Sequence, residues 1–213
     1  FSEACRLIGR DPAPRANGPR PARPAWEPRE GKAPAELWQE KAKSFMDKSI
    51  QNLWADTGKD TRAFLNDRGL TDETIQGAGL GWNPADIYLD REAWGLPEAL
   101  KEDGTLKKLW IPTGLVIPLI KEGRVVRLRI RRKEGEPRYI LIPGSDTRPM
   151  TWNLERGAAV IVESELDGIL LNQEAGDLAG VVAMGTATGK PDKVTHDALT
   201  GMETILVSEP QTE

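Results

Sequence analysis

Apolar residues recur at intervals of three and four along residues 36–54, which is the spacing of one face of an α-helix. This stripe predicts a long amphipathic helix, and its members are Leu37, Trp38, Ala42, Phe45, Met46, Ile50, Leu53 and Trp54. We expect a second, short helix over Thr61–Arg68, ending at Gly69. A third should begin at Thr71, a good N-cap residue. Turns are then expected at Gly77, Gly79, Gly81 and Asn83-Pro84.

The period of the pattern changes to two beyond residue 108, which indicates β-structure. The expected strands are Leu109–Pro112, Leu115–Ile120, Arg124–Arg131 and Tyr139–Ile142. Turns are expected at Gly114, at Glu122-Gly123 and at Gly135. Together these segments predict a small antiparallel or mixed sheet.

The last part of the chain alternates strand and helix. Apolar strands are expected at Ala159–Val162, Val181–Met184 and Thr204–Ser208, with helices at Leu166–Ala175 and Asp192–Leu199 between them. A βαβαβ order predicts a parallel sheet with right-handed crossovers. The fold class is therefore α+β: a helical and small basic β-sheet subdomain, followed by a partial α/β domain with a parallel sheet.

The composition excludes several classes of protein, among them disulfide-rich and membrane-spanning proteins. The chain has 213 residues, a net charge of −4, 38% hydrophobic residues and 29% charged residues. The single cysteine, Cys5, and the single histidine, His196, exclude an internal disulfide framework and a Cys/His zinc site built from this chain alone. The sequence contains no apolar run of membrane-spanning length and opens with no signal peptide, so we expect no membrane contact and a cytoplasmic location.

The first residues differ in character from the rest. Residues 1–9 have the pattern of a helix end and the chain has no initiator Met, so we expect a further unit upstream. Residues 11–35 contain seven prolines and several arginines, which predicts a tether without regular structure. A solvated linker is the more common use of such a segment, and arginine contact with a polyanion is the alternative.

Three segments carry candidate chemistry, of which the first is acidic. The strand that ends at Val162 runs directly into Glu163, Glu165 and Asp167. Ligands gather outside the carboxyl ends of the strands in α/β sheets, and carboxylates there can hold Mg²⁺. The competing interpretation is that Glu165 and Asp167 only favour the positive end of the next helix.

The second and third candidate segments have the residue types that bind phosphate groups. Gly185-Thr186-Ala187 follows a predicted strand, where glycine permits a tight turn and Thr186 could donate to a phosphate, although an ordinary loop has the same composition. Residues 121–138 contain eight Lys and Arg against three Glu. Arg127, Arg129 and Arg131 alternate along one strand and so share a face that suits a nucleic-acid backbone. A solvated sheet face is the competing interpretation.

In combination, these segments resemble DNA primases of the bacterial and phage type. The residues that carry the resemblance are Phe64–Ile75 with Gly79-Leu-Gly-Trp82, Gly114–Ile120 with Gly123-Arg-Val-Val, Arg131 and Pro137-Arg-Tyr139, and finally Val160–Asp167 with Gly185-Thr-Ala187. The first eight residues resemble the end of that family's zinc-ribbon domain. The resemblance implies a zinc-ribbon remnant at 1–10, the tether at 11–35, a primase-core subdomain at 36–155 and a toprim domain at 156–213.

The resemblance also implies an activity, which is template-directed primer synthesis by nucleotidyl transfer. Glu163 and Asp167 would be the catalytic residues and would hold Mg²⁺ or Mn²⁺. Arg127, Arg129, Arg131, Arg138, Gly185 and Thr186 would bind nucleic acid or nucleotide. The partners would be single-stranded DNA, nucleoside triphosphates and a replicative helicase, with zinc only in the upstream domain.

The acidic motif departs from the toprim pattern in two places. Ser164-Glu165 stand where that pattern has a glycine and an aromatic residue, and an Asp-X-Asp pair is expected after Ser208, where the sequence reads Glu209-Pro-Gln-Thr-Glu213. Two alternatives therefore stay open. One is a non-catalytic nucleic-acid-binding module with an incomplete site, and the other is a different toprim enzyme, such as a nuclease or topoisomerase-like protein.

Overall fold

The computed structural model of the chain describes residues 26–28, 30–186 and 189–208. The expected helix end in residues 1–9 and most of the tether lie outside these ranges, as do Ala187 and the segment from residue 209 onward. Residues 30–35 lead into the first helix without regular secondary structure.

The three helices predicted for the first part of the chain are confirmed. They are α1 (Glu36–Trp54), α2 (Lys59–Asp67) and α3 (Asp72–Gly77). A 3₁₀ turn at Asp56–Gly58 connects α1 to α2. Thr71 caps α3 as predicted, because its hydroxyl oxygen accepts from the backbone N–H of Thr74 at 3.2 Å.

Six strands follow, some of them very short. They are β1 (Gly81–Asn83), β2 (Ile87–Leu89), β3 (Leu109–Ile111), β4 (Gly114–Lys121), β5 (Arg124–Arg131) and β6 (Tyr139–Leu141). The first sheet has the order β1-β4-β5-β6 and is antiparallel throughout, while β2 and β3 form a separate two-stranded ladder.

The turn predicted at Gly81 and Asn83 is wrong, because this segment is strand β1. Gly81 is needed there for packing and not for a turn. A Cβ at Gly81 would lie 2.6 Å from the Cβ of Ser49, so only glycine lets β1 approach α1 this closely.

The second sheet contains the predicted parallel strands. Its elements are β7 (Met150–Trp152), β8 (Ala158–Val162), α4 (Glu165–Ala175), β9 (Gly180–Ala183), α5 (Lys193–Thr200) and β10 (Thr204–Val207). The order is β10-β8-β9-β7, with β8 parallel to both β9 and β10. The sequence analysis missed β7, which adds an antiparallel edge and comes from the N-terminal side of the expected boundary at residue 155.

The first sheet is covered on both faces. Trp38 and Met46 of α1 pack on one face, in a cluster with Leu128 and Ile130 of β5. The opposite face joins a second cluster that includes Ile117 of β4 and Ile169 of α4. Alternate residues of β5 therefore point toward α1 or toward α4, and both directions lead into the interior.

Within the described ranges, the helices are too short or too polar to cross a membrane.

Candidate functional site

Two of the predicted phosphate-binding arginines lie in the interior. Arg127 and Arg129 share a face of β5, as predicted, but that face turns toward α4 and only 1% of Arg127 and 7% of Arg129 is exposed. The expectation that both would line an accessible basic surface is therefore wrong. A contact between Arg127 and a polyanion would require the guanidinium to leave the core.

The partner of these arginines is Glu165, in the first turn of α4. Its carboxylate is also only 1% exposed. Arg129 Nη1 lies 2.7 Å from Glu165 Oε1, at an angle outside that of a hydrogen bond, and Arg127 Nη2 lies 3.5 Å from the same oxygen. Burial lowers the pKa of Arg127 to about 10, although Glu165 opposes this effect.

Arg131, at the end of β5, has a more open environment. Its guanidinium lies over the ring of Phe64, 4.5 Å from the centroid. Arg68 also approaches this ring, at 5.9 Å, and its Nη2 donates to Asp167 Oδ1 at 2.5 Å. A continuous series of contacts therefore runs from the basic end of β5, through α2, to the acidic start of α4.

An open cleft lies beside Arg131. Its volume is about 460 Å³, and its walls come from α2, β1, β4, the end of β5 and the loop before β6. The side chains relevant to binding are Phe64, Trp82, Arg131, Lys133 and Arg138. Asp60 and Glu134 also line the cleft, so its charged groups are three cations and two carboxylates. Aromatic faces beside cations suit bases and phosphates of a single strand.

Glu163 and Gly185 are brought together at the carboxyl ends of β8 and β9. The backbone N–H of Gly185 donates to the carbonyl of Glu163 at 2.7 Å, and Arg129 Nη1 donates to the carbonyl of Gly185 at 2.5 Å. Gly185 has a φ of +77°, a conformation that glycine adopts without strain. Thr186 follows with an exposed side chain.

Asp167 is engaged by protein groups. The hydroxyl of Ser164, the N-cap of α4, donates to Asp167 Oδ2 at 2.6 Å and accepts from the Asp167 backbone N–H at 3.1 Å. Arg68 holds the other carboxylate oxygen. The interpretation of Asp167 as a helix-start residue is therefore correct, and any further role must compete with these two contacts.

The side chains at the carboxyl ends of β8 and β9 provide only part of a binding site for a divalent cation. In the ranges that the structure describes, no group of three or more His, Cys, Asp or Glu side chains is arranged to hold a metal. Mg²⁺ often takes only one or two carboxylates, together with water and substrate phosphates. Glu163 alone, with Asp167 already paired, does not make a closed metal site.

The sequence did not single out Phe64, Arg68 or Trp82 as binding residues, although they belong to the segments that carry the resemblance, and Lys133 was only counted within the basic segment 121–138. One signal was available, since Phe64 lies in α2 and Arg68, four residues later, is the C-cap residue of that helix with helical backbone angles, so the two share a face. The positions of Trp82 and Lys133 depend on contacts between distant segments, which the local pattern does not contain.

The arrangement of an antiparallel sheet joined to a mixed sheet is similar to the folds of solved primase catalytic domains. The RNA polymerase domain of Mycobacterium tuberculosis primase DnaG, in complex with a double-stranded DNA oligomer with a 6-nucleotide overhang, superposes with a TM-score of 0.58 at 15% identity, over 83% of this chain and 64% of that chain.

Two further primase structures share this fold. The E. coli primase catalytic core gives a TM-score of 0.55 at 16% identity, over 81% of this chain and 60% of that chain. The DnaG primase catalytic domain bound to ssDNA gives 0.57 at 16% identity, over 81% and 62%. This chain thus spans less than two thirds of these structures. The sequence itself matches no protein-family model and no curated protein.

Proposed function

We propose that this chain is part of a DNA primase core that binds single-stranded template in the cleft beside Arg131 and contributes Glu163 to nucleotidyl transfer. The observation that carries this proposal is the contact series Arg131–Phe64–Arg68–Asp167, which joins the basic, aromatic cleft to the acidic strand end. Template and reacting groups would then lie on neighbouring surfaces that this contact series joins.

The residues have distinct roles in this proposal. Arg131, Arg138 and Lys133 neutralise phosphates, while Phe64 and Trp82 offer faces on which bases stack. Because stacking and phosphate contacts do not read base edges, binding would be largely independent of sequence. Arg127 and Arg129 act from the interior and hold the acidic segment in place.

Nucleoside triphosphates are the second substrate under this proposal. Gly185 and Thr186 lie next to Glu163, so a triphosphate at this end of the sheet would face the exposed hydroxyl of Thr186. The divalent cation expected at Glu163 and Asp167, and the contact with a replicative helicase, stay predictions.

Binding to fluorescently labelled single-stranded DNA across a salt series tests the template site. The logarithm of the binding constant falls linearly with the logarithm of the salt concentration, and each phosphate neutralised on a single strand makes this slope steeper by about 0.7. We expect Arg131→Ala to weaken binding and to reduce the slope by about this amount. The matched control is Arg156→Ala, an exposed arginine before β8, at the end of the strand opposite Glu163. Equal effects of the two variants would contradict a template site in the cleft.

Primer synthesis with Mn²⁺ or Mg²⁺ tests the catalytic part, with the chain placed in its full-length parent. Glu163→Gln should abolish synthesis and leave single-stranded DNA binding unchanged, because Glu163 lies outside the cleft. Full activity of this variant would overturn the role of Glu163. DNA cleavage without synthesis would favour a nuclease-like toprim enzyme.

A non-catalytic nucleic-acid-binding module is the second candidate. It is favoured by the absence of a metal-ligand group of three or more side chains among the described residues. This candidate predicts single-stranded DNA binding that Arg131→Ala weakens, together with no synthesis by the full-length parent under any metal condition.

A further inference from the structure

A buried ionic cluster joins β5 to the start of α4 and contains no residue of the cleft beside Arg131. It consists of Arg127 and Arg129 from β5 and Glu165 from α4, with at most 7% of any of these residues exposed. Two guanidinium groups therefore share one carboxylate in the interior. Arg127 Nη1 also donates to the backbone carbonyl of Arg148 at 2.5 Å.

A buried ionic cluster of this kind contributes little net free energy to the stability of a core. The desolvation of buried charges often exceeds their mutual attraction, and apolar residues of similar volume frequently serve stability as well or better. Here the cost is increased because Arg127 Nε and Nη2 have no hydrogen-bond partner within the described part of the chain. Stability alone therefore does not explain the cluster.

The cluster does fix one segment very closely. Arg129 Nη1 holds the Gly185 carbonyl, and Glu165 Oε1 lies 3.0 Å from the position that a Cβ of Gly185 would occupy. The N–H of the same glycine donates to the carbonyl of Glu163. A chain of contacts therefore runs from Glu165 of α4 through Arg129 of β5 to the Gly185 turn after β9, and from the Gly185 N–H to the backbone carbonyl of Glu163 after β8.

We propose that Glu165 is a positioning residue, whose buried carboxylate holds Arg129 against the Gly185 turn and so fixes Glu163 beside the basic sheet. This role rests on the proposed function, because it assigns a purpose to the position of Glu163. Glu165 itself touches neither template nor triphosphate. It acts through Arg129 and the turn.

Amide hydrogen exchange of the ¹⁵N-labelled chain tests the inference directly. Glu165→Gln should raise the exchange rate of the Gly185 amide by about tenfold or more relative to that of Leu80, whose N–H donates to Ile75 in another part of the fold. Equal acceleration of both amides, or of neither, would overturn the positioning role. If Glu165→Gln does not fold, Arg129→Lys provides the same comparison while retaining the positive charge.

Coupling between the two side chains provides the second readout. Arg129→Gln and the double variant Arg129→Gln/Glu165→Gln should accelerate exchange at Gly185 to the same extent, because the carboxylate acts only through the arginine. Additive effects would mean that Glu165 acts independently, which contradicts the proposal.

Kinetics of the full-length parent then separate this inference from the proposed function. Glu165→Gln should lower kcat for primer synthesis and leave the KM for nucleoside triphosphate unchanged, because the residue positions groups and binds no substrate. A raised KM with normal kcat would overturn the role. Glu163→Gln is the control, since it removes activity under the proposed function but should leave exchange at Gly185 unchanged. If Glu163→Gln were active, the proposed function would fail while the exchange result at Glu165 stood.

Discussion

Arg68, directly after α2, donates from Nη2 to Asp167 Oδ1 at 2.5 Å, although 99 positions separate the two residues in the sequence. The contact joins the helical layer to the first turn of α4. A second contact supports it, since the side-chain amide of Gln173 in α4 donates to the carbonyl of Gly69 and accepts from the N–H of Thr71. The first and last turns of α4 are therefore both attached to the segment between α2 and α3.

Removal of Arg68 should destabilise the chain modestly. The pair is partly exposed, at 34% for Arg68 and 48% for Asp167, so we expect Arg68→Ala to lower the free energy of unfolding by about 1 kcal/mol. Chemical denaturation measures this change. The control is Lys43→Ala, which breaks the surface pair with Asp47 and should cost less than about 0.5 kcal/mol. A smaller loss for Arg68→Ala than for Lys43→Ala would contradict a link between the layers.

Substitution of Gly185 should be among the most harmful single changes. Its φ is +77° and a Cβ would lie 2.5 Å from Arg129 Nη1, so Gly185→Ala combines backbone strain with a clash against a buried side chain. We expect a loss of about 2 kcal/mol or more in thermal or urea unfolding. Gly77→Ala is the control, because among the described residues outside its own helix no atom lies within 4 Å of its Cβ position, so this change at the end of α3 should not destabilise the chain.

Asp86 should make stability depend on acid pH. The N–H of Thr113 and the indole of Trp110 donate to its carboxylate, at 2.8 Å and 2.9 Å, and these hydrogen bonds lower the pKa of Asp86 below its ordinary value of 3.8. Because the folded state favours the charged form, its contribution is complete above the ordinary pKa and disappears as the pH falls through the lower folded pKa.

The matching experiment is urea unfolding of the natural chain and of Asp86→Asn between pH 2 and pH 7. The variant should be less stable at neutral pH, by no more than about 1 kcal/mol since the site is exposed. The difference should shrink below about pH 4. A difference that persists unchanged at pH 2 would contradict this account.

Phe64 should contribute to DNA binding through its ring. Loss of one base–aromatic stack costs about 1–3 kcal/mol, so Phe64→Leu should weaken single-stranded DNA binding by about tenfold. Phe45→Leu is the control, because Phe45 packs with Trp94 in the cluster on the other face of the first sheet. Both variants should lose some stability, but only Phe64→Leu should lose affinity. Equal affinities in electrophoretic or fluorescence assays would place the bases elsewhere.

The sequence indicated most of the elements because the apolar periodicity is strong in α1, β4, β5 and β8. It failed at β1, β2 and β7, which have three residues each and owe their pairing to distant partners. Three glycines before Asn83-Pro84 favour a turn locally, whereas pairing with β4 makes Gly81 part of a strand and the approach of Ser49 in α1 explains why that residue is glycine.

The alternation of Arg127, Arg129 and Arg131 correctly predicted that these residues share one face of β5. It did not predict whether that face is exposed to solvent or buried. Arginines on a strand normally indicate exposure, because a buried guanidinium needs a partner. That partner, Glu165, follows a different strand and was itself interpretable as a helix-start residue. The pairing of two such segments is a property of the tertiary fold, so neither segment reveals it alone.

The antiparallel edge strand β7 limits how the chain can be divided. It precedes residue 155, yet it pairs with β9 in the second sheet. A fragment that began at residue 156 would lose this edge and would carry the carboxylate of Glu165 without its guanidinium partners. The complementary fragment would carry Arg127 and Arg129 without a counter-ion in its core. The two halves are therefore not interchangeable modules, and a chimera that exchanges one of them must exchange the ionic partners and β7 with it.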